Sequence, residues 1–280
     1  MRRAPRCLPR RSAIASAALL ALLALVGIGC ATSGPVNPSL PISCDGAGVA
    51  IEAMAAAPRA LERPVIVVGG FLDPGLGSWW VGRRLRRVVS DPDRVIGVSF
   101  FTCCDFENCR ERLIAAVDEA FPSADPEWTT EVDVVGVSMG GVVARDAAAA
   151  RPNGVRARRL RIARLFTLSS PHRGATLAGI PSFHPLQVDL RYGSDFLRRL
   201  DAESRVARYE VFPYVRLDDR IVGPENAAPF GQDPWWLSND LFSAAHVAGC
   251  IDPRAHADIA RRLRGEAPIA TSPAAPLPGR

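Results

Sequence analysis

Two hundred and eighty residues, 48% hydrophobic and 22% charged, are enough for one α/β domain of ordinary size with tails at either end. The formal net charge of +5 would favour an anionic partner, but Arg2, Arg3, Arg6, Arg10 and Arg11 all precede the first acidic residue, Asp45. Without residues 1–29 the basic and acidic side chains balance, which removes the electrostatic case for nucleic acid.

The amino terminus is arginine-rich, then uncharged from Ala13 to Gly29, then Cys30 followed by the small and polar stretch Ala31-Thr32-Ser33-Gly34-Pro35. This is the pattern of an export signal, here residues 1–29. Val26-Gly27-Ile28-Gly29-Cys30 resembles the lipobox of bacterial lipoproteins, with Gly27 where an aliphatic residue is usual. The resemblance implies lipidation of Cys30, attachment to a membrane and a place in the cell envelope. An uncleaved anchor and a periplasmic or secreted product are the alternatives, because the apolar run is at the lower limit for a spanning helix.

Beyond Cys30 lie Cys44, Cys103, Cys104, Cys109 and Cys250. Export would permit disulfides, the odd number would leave one thiol free if four pair, and the connectivity is open. The C-C-x4-C cluster lacks the spacing and histidines of a zinc site, and neither a metal nor a cofactor is expected.

Residues 30–61, with Pro35, Pro38, Pro41 and Pro58, read as a tether and an irregular or partly helical entry. The domain is expected over 62–264. Pro64 to Phe71 reads as a buried strand running into a glycine turn, Trp79 to Ser90 as a helix, Arg94 to Phe100 as a strand and Asn108 to Ala120 as a helix. After a proline-containing loop comes an elbow strand ending at Val137, then a helix from Met139 to Ala150. Arg164 to Ser169 and Tyr209 to Arg216 read as further strands, and Pro253 to Leu263 as a closing helix opened by Asp252-Pro253. The alternation predicts a mainly parallel sheet with helices on both faces. Residues 265–280, with four prolines, are expected to be disordered.

The chemistry centres on Val132-Asp133-Val134-Val135-Gly136-Val137-Ser138-Met139-Gly140. A valine-rich strand meets an alanine-rich helix through G-x-S-x-G. So sharp a turn crowds its neighbours, and glycines at 136 and 140 remove the side chains that would clash, leaving the Ser138 hydroxyl exposed. Composition alone supplies the motif in about one such chain in eight, so the strand before and the helix after carry the reading.

Several separate stretches resemble the lipase/esterase branch of the α/β-hydrolase superfamily known from bacteria, over roughly residues 62–264. Val65-Ile66-Val67-Val68-Gly69-Gly70-Phe71 is similar to its first core strand and oxyanion loop, with Gly69 where the family usually carries histidine. Ser169-Ser170-Pro171-His172-Arg173-Gly174 is similar to its P-H-x-G turn, Asp219-Arg220-Ile221-Val222 to its acid loop, and His246 to Pro253 to the histidine loop before the last helix. The resemblance implies an α/β-hydrolase fold and hydrolysis of carboxylic esters through an acyl-enzyme. Ser138 would be the nucleophile, His246 the general base and acid, and Asp219 the group that orients it, in the superfamily's order. The Phe71 and Met139 N–H groups would form the oxyanion hole.

Asp218 adjoins Asp219 and competes with it, since successive residues at a strand end point opposite ways; the D-x-x-V pattern favours Asp219. His172 reads as structural, His184 falls in an insertion, and His256 lies in the closing helix. The insertion, about 174–208, holds Ile180, Phe183, Leu186, Val188, Leu190, Phe196, Leu197 and Leu200. It either caps the site or packs on the core. Trp79-Trp80 and Trp235-Trp236 either line an apolar pocket or fill the domain. The expected substrate is an ester or a lipid. An acyltransferase or amidase with the same triad, and a binding module without catalysis, are the alternatives.

Overall fold

A computed structural model describes residues 37–151, 157–179, 184–238 and 245–278. The expected signal segment, Cys30, the start of the tether, and Ile180 and Phe183 lie outside the described residues.

The valine-rich segments pair as expected. Six strands, β1 (Val65–Val68), β2 (Val95–Val98), β3 (Val132–Val137), β4 (Ile162–Leu168), β5 (Glu210–Arg216) and β6 (Trp235–Leu237), form one sheet in the order β2-β1-β3-β4-β5-β6. Every neighbouring pair is parallel. Parallel neighbours need crossovers, which supply helices to both faces. Successive residues therefore serve opposite cores. Val65, Val67, Val135, Val137, Phe166 and Leu168 belong to one apolar cluster, and Ile66, Val68, Val132, Val134 and Leu165 to the other.

The first face is covered by α1 (Cys44–Ala56), α2 (Leu76–Arg86) and, near the carboxyl terminus, α8 (Pro253–Leu263). The entry is thus helical over α1, whose amino end is capped by Ser43 Oγ accepting from Gly46 N–H at 3.1 Å. Pro253 at the first position of α8 and the Asp252 carboxylate, which accepts from Arg254 N–H at 2.9 Å, start that helix where the sequence predicts.

The second face is covered by α3 (Phe106–Ala120) and α4 (Met139–Ala148), with α5 (Pro185–Asp189) and α6 (Asp195–Ser204) beside them. Leu186 and Leu190 from around α5, and Leu197 and Leu200 of α6, join the same cluster as Phe106 and Leu113. The described part of the insertion therefore packs on the core. Buried Arg145 of α4 binds it there through Asp201 at 2.9 Å and Ser204 Oγ at 2.7 Å.

Two differences from expectation have local causes. The segment from 265 to 278, read as disordered, is anchored where it is described. Asp258 Oδ1 accepts from Ile269 and Ala270 N–H at 2.6 and 2.8 Å, Trp236 Nε1–H donates to Pro276 O at 3.2 Å, and Leu277 is buried. Prolines hold a chain extended without its needing a ladder, so such a strap can still pack. Secondly, Trp235 and Trp236 form the edge strand β6 and are buried. Trp235 stacks on Phe212 and Tyr214, at 5.8 and 5.6 Å between centroids, so of its two readings this pair fills the domain.

Candidate active site

The turn after β3 is as tight as its glycines demand. Ser138 has φ 51° and ψ −125°, outside the regions open to most side chains. A Cβ on Gly136 would lie 2.5 Å from the Cα of Gly141, and one on Gly140 would run into the carbonyl oxygen of Val68. Ser138 N–H donates to Leu168 O at 2.8 Å, which ties the turn to β4 as α4 departs.

The carboxyl edge of the sheet brings three distant residues together. His246 opens a short helix, α7 (Ala245–Ile251), rather than lying in a loop. Its Nε2 is 2.9 Å from Ser138 Oγ and its Nδ1 is 2.9 Å from Asp219 Oδ2. The Asp219 carboxylate is buried, and its other oxygen accepts from Ile221 and Val222 N–H at 3.0 and 3.1 Å. Burial alone would raise this carboxyl, but the hydrogen bond and charge of His246, the Val222 N–H and the Ser169 hydroxyl together hold it below the ordinary carboxylate range. An ionised Asp219 fixes the proton of His246 on Nδ1 and turns the lone pair of Nε2 toward Ser138. Asp218 points elsewhere, its carboxylate 3.1 Å from Arg216 Nε.

The other histidines are taken up by the framework. His172 is buried, with Nδ1 3.2 Å from the Arg145 guanidinium and Nε2 3.0 Å from Thr167 Oγ1. Burial, then the neighbouring Arg145 and Arg173 charges, keep it well below the ordinary histidine range. His256 is held at about 3 by burial and by Arg84, 2.8 Å away. His184 packs edge-on against Phe71 at 5.1 Å, bringing the insertion to the turn after β1.

Phe71 and Met139 each sit one residue from a close contact. Gly70 lies so near Ser138 that a Cβ on it would be 3.3 Å from Ser138 Cβ, and Met139 is the first residue of α4. Leu76, Trp79 and Trp80, at the start of α2, are exposed. Among the described residues, no group of His, Cys, Asp or Glu is placed to hold a metal ion.

Two residues of this neighbourhood escape a reading of the sequence. Ser169 has φ 52° and a fully buried hydroxyl beside Asp219. Asp73 accepts from three main-chain N–H groups at the start of α2. The pattern Asp73-Pro74-Gly75 carries the signal of an Asx turn or helix cap, which could have revealed the second.

Residues 107–185, less than a third of the chain, match the family described as the PGAP1-like alpha/beta domain. No curated protein matches the chain. Among solved structures, it is similar to the phospholipase PlaB from Legionella pneumophila, solved in complex with thio-NAD, with 14% identity and a TM-score of 0.42 over 55% of this chain and 37% of that one. It thus spans little more than a third of that protein's length. A metagenomic carboxyl esterase shows 13% identity and a TM-score of 0.41, over 73% of this chain and 76% of that one. With its parallel sheet, its strand-turn-helix elbow at Ser138 and the 138, 219, 246 order along one edge, the chain has the α/β-hydrolase fold.

Proposed function

We propose that the protein is a serine hydrolase that cleaves carboxylic esters, including those of lipids. The observation that carries this is the unbroken hydrogen-bonded chain from Asp219 through His246 to Ser138, 2.9 Å at each step. A serine hydroxyl is a poor nucleophile at neutral pH, and a neutral imidazole at that distance can take its proton as attack begins. The imidazolium so formed is stabilised by Asp219 and returns the proton to the leaving alkoxide. Negative charge gathers meanwhile on the former carbonyl oxygen, where the N–H groups of Phe71 and Met139 serve as donors; losing one such donor costs about 2.7–4 kcal/mol of transition-state stabilisation. Water, activated by His246, then releases the acid. We further propose that the chain is exported and attached to a membrane through lipidated Cys30; the sequence pattern around that residue supports this.

The test is hydrolysis of p-nitrophenyl esters from two to sixteen carbons by the purified chain and its Ser138→Ala variant, with labelling by a fluorophosphonate. Activity and labelling that both vanish in the variant are the expected result, and the best chain length separates esterase from lipase. A folded wild-type chain that hydrolyses no ester and takes no label would leave a binding module as the better reading.

A further inference from the structure

We infer that Asp73 is a positioning residue of the oxyanion turn, setting the main-chain path that aims the Phe71 N–H at the substrate carbonyl. This rests on the ester-hydrolase reading above.

The turn from Gly70 to Asp73 is closed by Asp73 N–H donating to Gly70 O at 3.4 Å. Its third residue, Leu72, has φ 53°, a value that glycine or asparagine ordinarily supplies at this place in a turn. A leucine held there must be held by its surroundings. The side chain of Asp73 supplies that hold. Its Oδ1 accepts from Gly75 and Gly77 N–H at 2.9 and 3.1 Å, and its Oδ2 from Ser78 N–H at 3.3 Å. One carboxylate thereby ties the far end of the oxyanion turn to the amino terminus of α2, which in turn packs against β1 and β2.

The glycines around it fit the same purpose. A Cβ on Gly69 would stand 2.8 Å from Asp73 Oδ2 and 3.3 Å from Val98 O, and one on Gly77 would stand 3.1 Å from Asp73 Oδ2. A side chain at Gly69 would have to push the Asp73 carboxylate from its place. A bare negative charge so close to a forming oxyanion would oppose the reaction. Three N–H donors and the positive end of an eleven-residue helix take that charge up, so what Asp73 contributes is shape.

A donor that acts on the oxyanion stabilises the transition state more than the bound ester, so its misplacement should lower kcat and spare KM. The experiment compares wild type with Asp73→Ala, Asp73→Asn, Gly69→Ala and the Gly69→Ala/Asp73→Ala double variant. It measures kcat and KM on p-nitrophenyl butyrate and inhibition by an alkyl boronic acid, which mimics the tetrahedral intermediate. Asp73→Ala is expected to lower kcat about 10- to 100-fold with KM within about twofold, and to weaken the boronic acid in parallel. Asp73→Asn keeps an acceptor for Gly75 and Gly77 and should recover most of the loss. Gly69→Ala should resemble Asp73→Ala, and the double variant should be no worse than either single change.

If Asp73→Ala does not fold, Asp73→Asn and Gly69→Ala carry the comparison through the same kcat and boronic acid readouts. An active wild type whose Asp73→Ala variant, or Gly69→Ala where Asp73→Ala does not fold, keeps kcat within twofold or changes only KM overturns the inference alone. So does a double variant with fully additive losses. A wild-type chain that neither hydrolyses esters nor labels at Ser138 overturns the hydrolase reading and this inference with it.

Discussion

Backbone strain at the residue scale gathers where the chemistry is proposed. Leu72, Ser138 and Ser169 are the non-glycine residues with positive φ among those described, and they surround the ends of β1, β3 and β4. Strain of this kind costs of order 1–3 kcal/mol per residue and persists only where neighbours over-determine it. The glycines at 136 and 140 were legible because their spacing to Ser138 is fixed by a local turn. The hold on Leu72 was not, because it depends on how Asp73 folds back onto a helix that sequence pattern starts three residues too late. Asp219 was separable from Asp218 only by a resembled pattern; the structure separates them by direction, one toward His246 and one toward Arg216. Asp219→Asn tests that distinction. Its amide oxygen can still accept from Ile221 and Val222, so folding should survive, but it favours the wrong imidazole tautomer. We expect kcat to fall by roughly 10³–10⁴-fold, measured on a short-chain ester, with thermal melting little changed. Asp218→Asn should leave kcat within about twofold, and a large loss there instead would reverse the assignment.

At the scale of elements, arginines staple what the helices alone leave loose. Arg264 is buried just past the end of α8, where its guanidinium donates to Met54 O at 2.7 Å, Val88 O at 2.5 Å and Ala57 O at 2.8 Å. It closes the carboxyl end of α1 and the turn after α2 together, and Glu266, 2.7 Å away, balances its charge. Arg264→Met would take a charged donor from all three carbonyls, and Met54 O and Val88 O would keep only the longer main-chain bonds from Ala57 and Arg59 N–H, at 3.3 and 3.4 Å. The expected loss is about 3 kcal/mol, read from urea denaturation. A loss under about 1 kcal/mol would mean that solvent replaces the guanidinium. This staple could not be read from the sequence, since its partners lie roughly two hundred residues away. The closing helix itself could, because Asp252-Pro253 is a local start signal. Between these extremes falls β6, three residues long, too short for alternation to show.

Across the whole molecule, a parallel sheet sends the ends of β1, β3, β5 and β6 to the same edge, and residues far apart in sequence meet there. The two apolar faces that make this possible also bury histidines, and that couples stability to pH. His172 and His256 accept from Arg145 and Arg84 through Nδ1, an arrangement open only to neutral imidazole. Both are held below the ordinary histidine range, His256 at about 3, chiefly by burial and then by those arginines. Unfolded histidine titrates near 6.5. Between that value and the folded one, the unfolded chain binds more protons, so stability is fully present above about pH 6.5 and declines as pH falls below it. The slope approaches about 1.4 kcal/mol per pH unit for each such histidine. Asp219 adds a separate loss at lower pH, because its carboxyl is held below the ordinary range and its contribution goes only as pH drops through that lowered value. Thermal melting between pH 8 and 4 should therefore be level at first and then steepen below about 6.5. His256→Gln, whose side chain stays neutral in both states, should melt lower at pH 8 and yet lose less on acidification. Parallel curves for the variant and the wild type would show that His256 is already free to take up its proton in the folded chain.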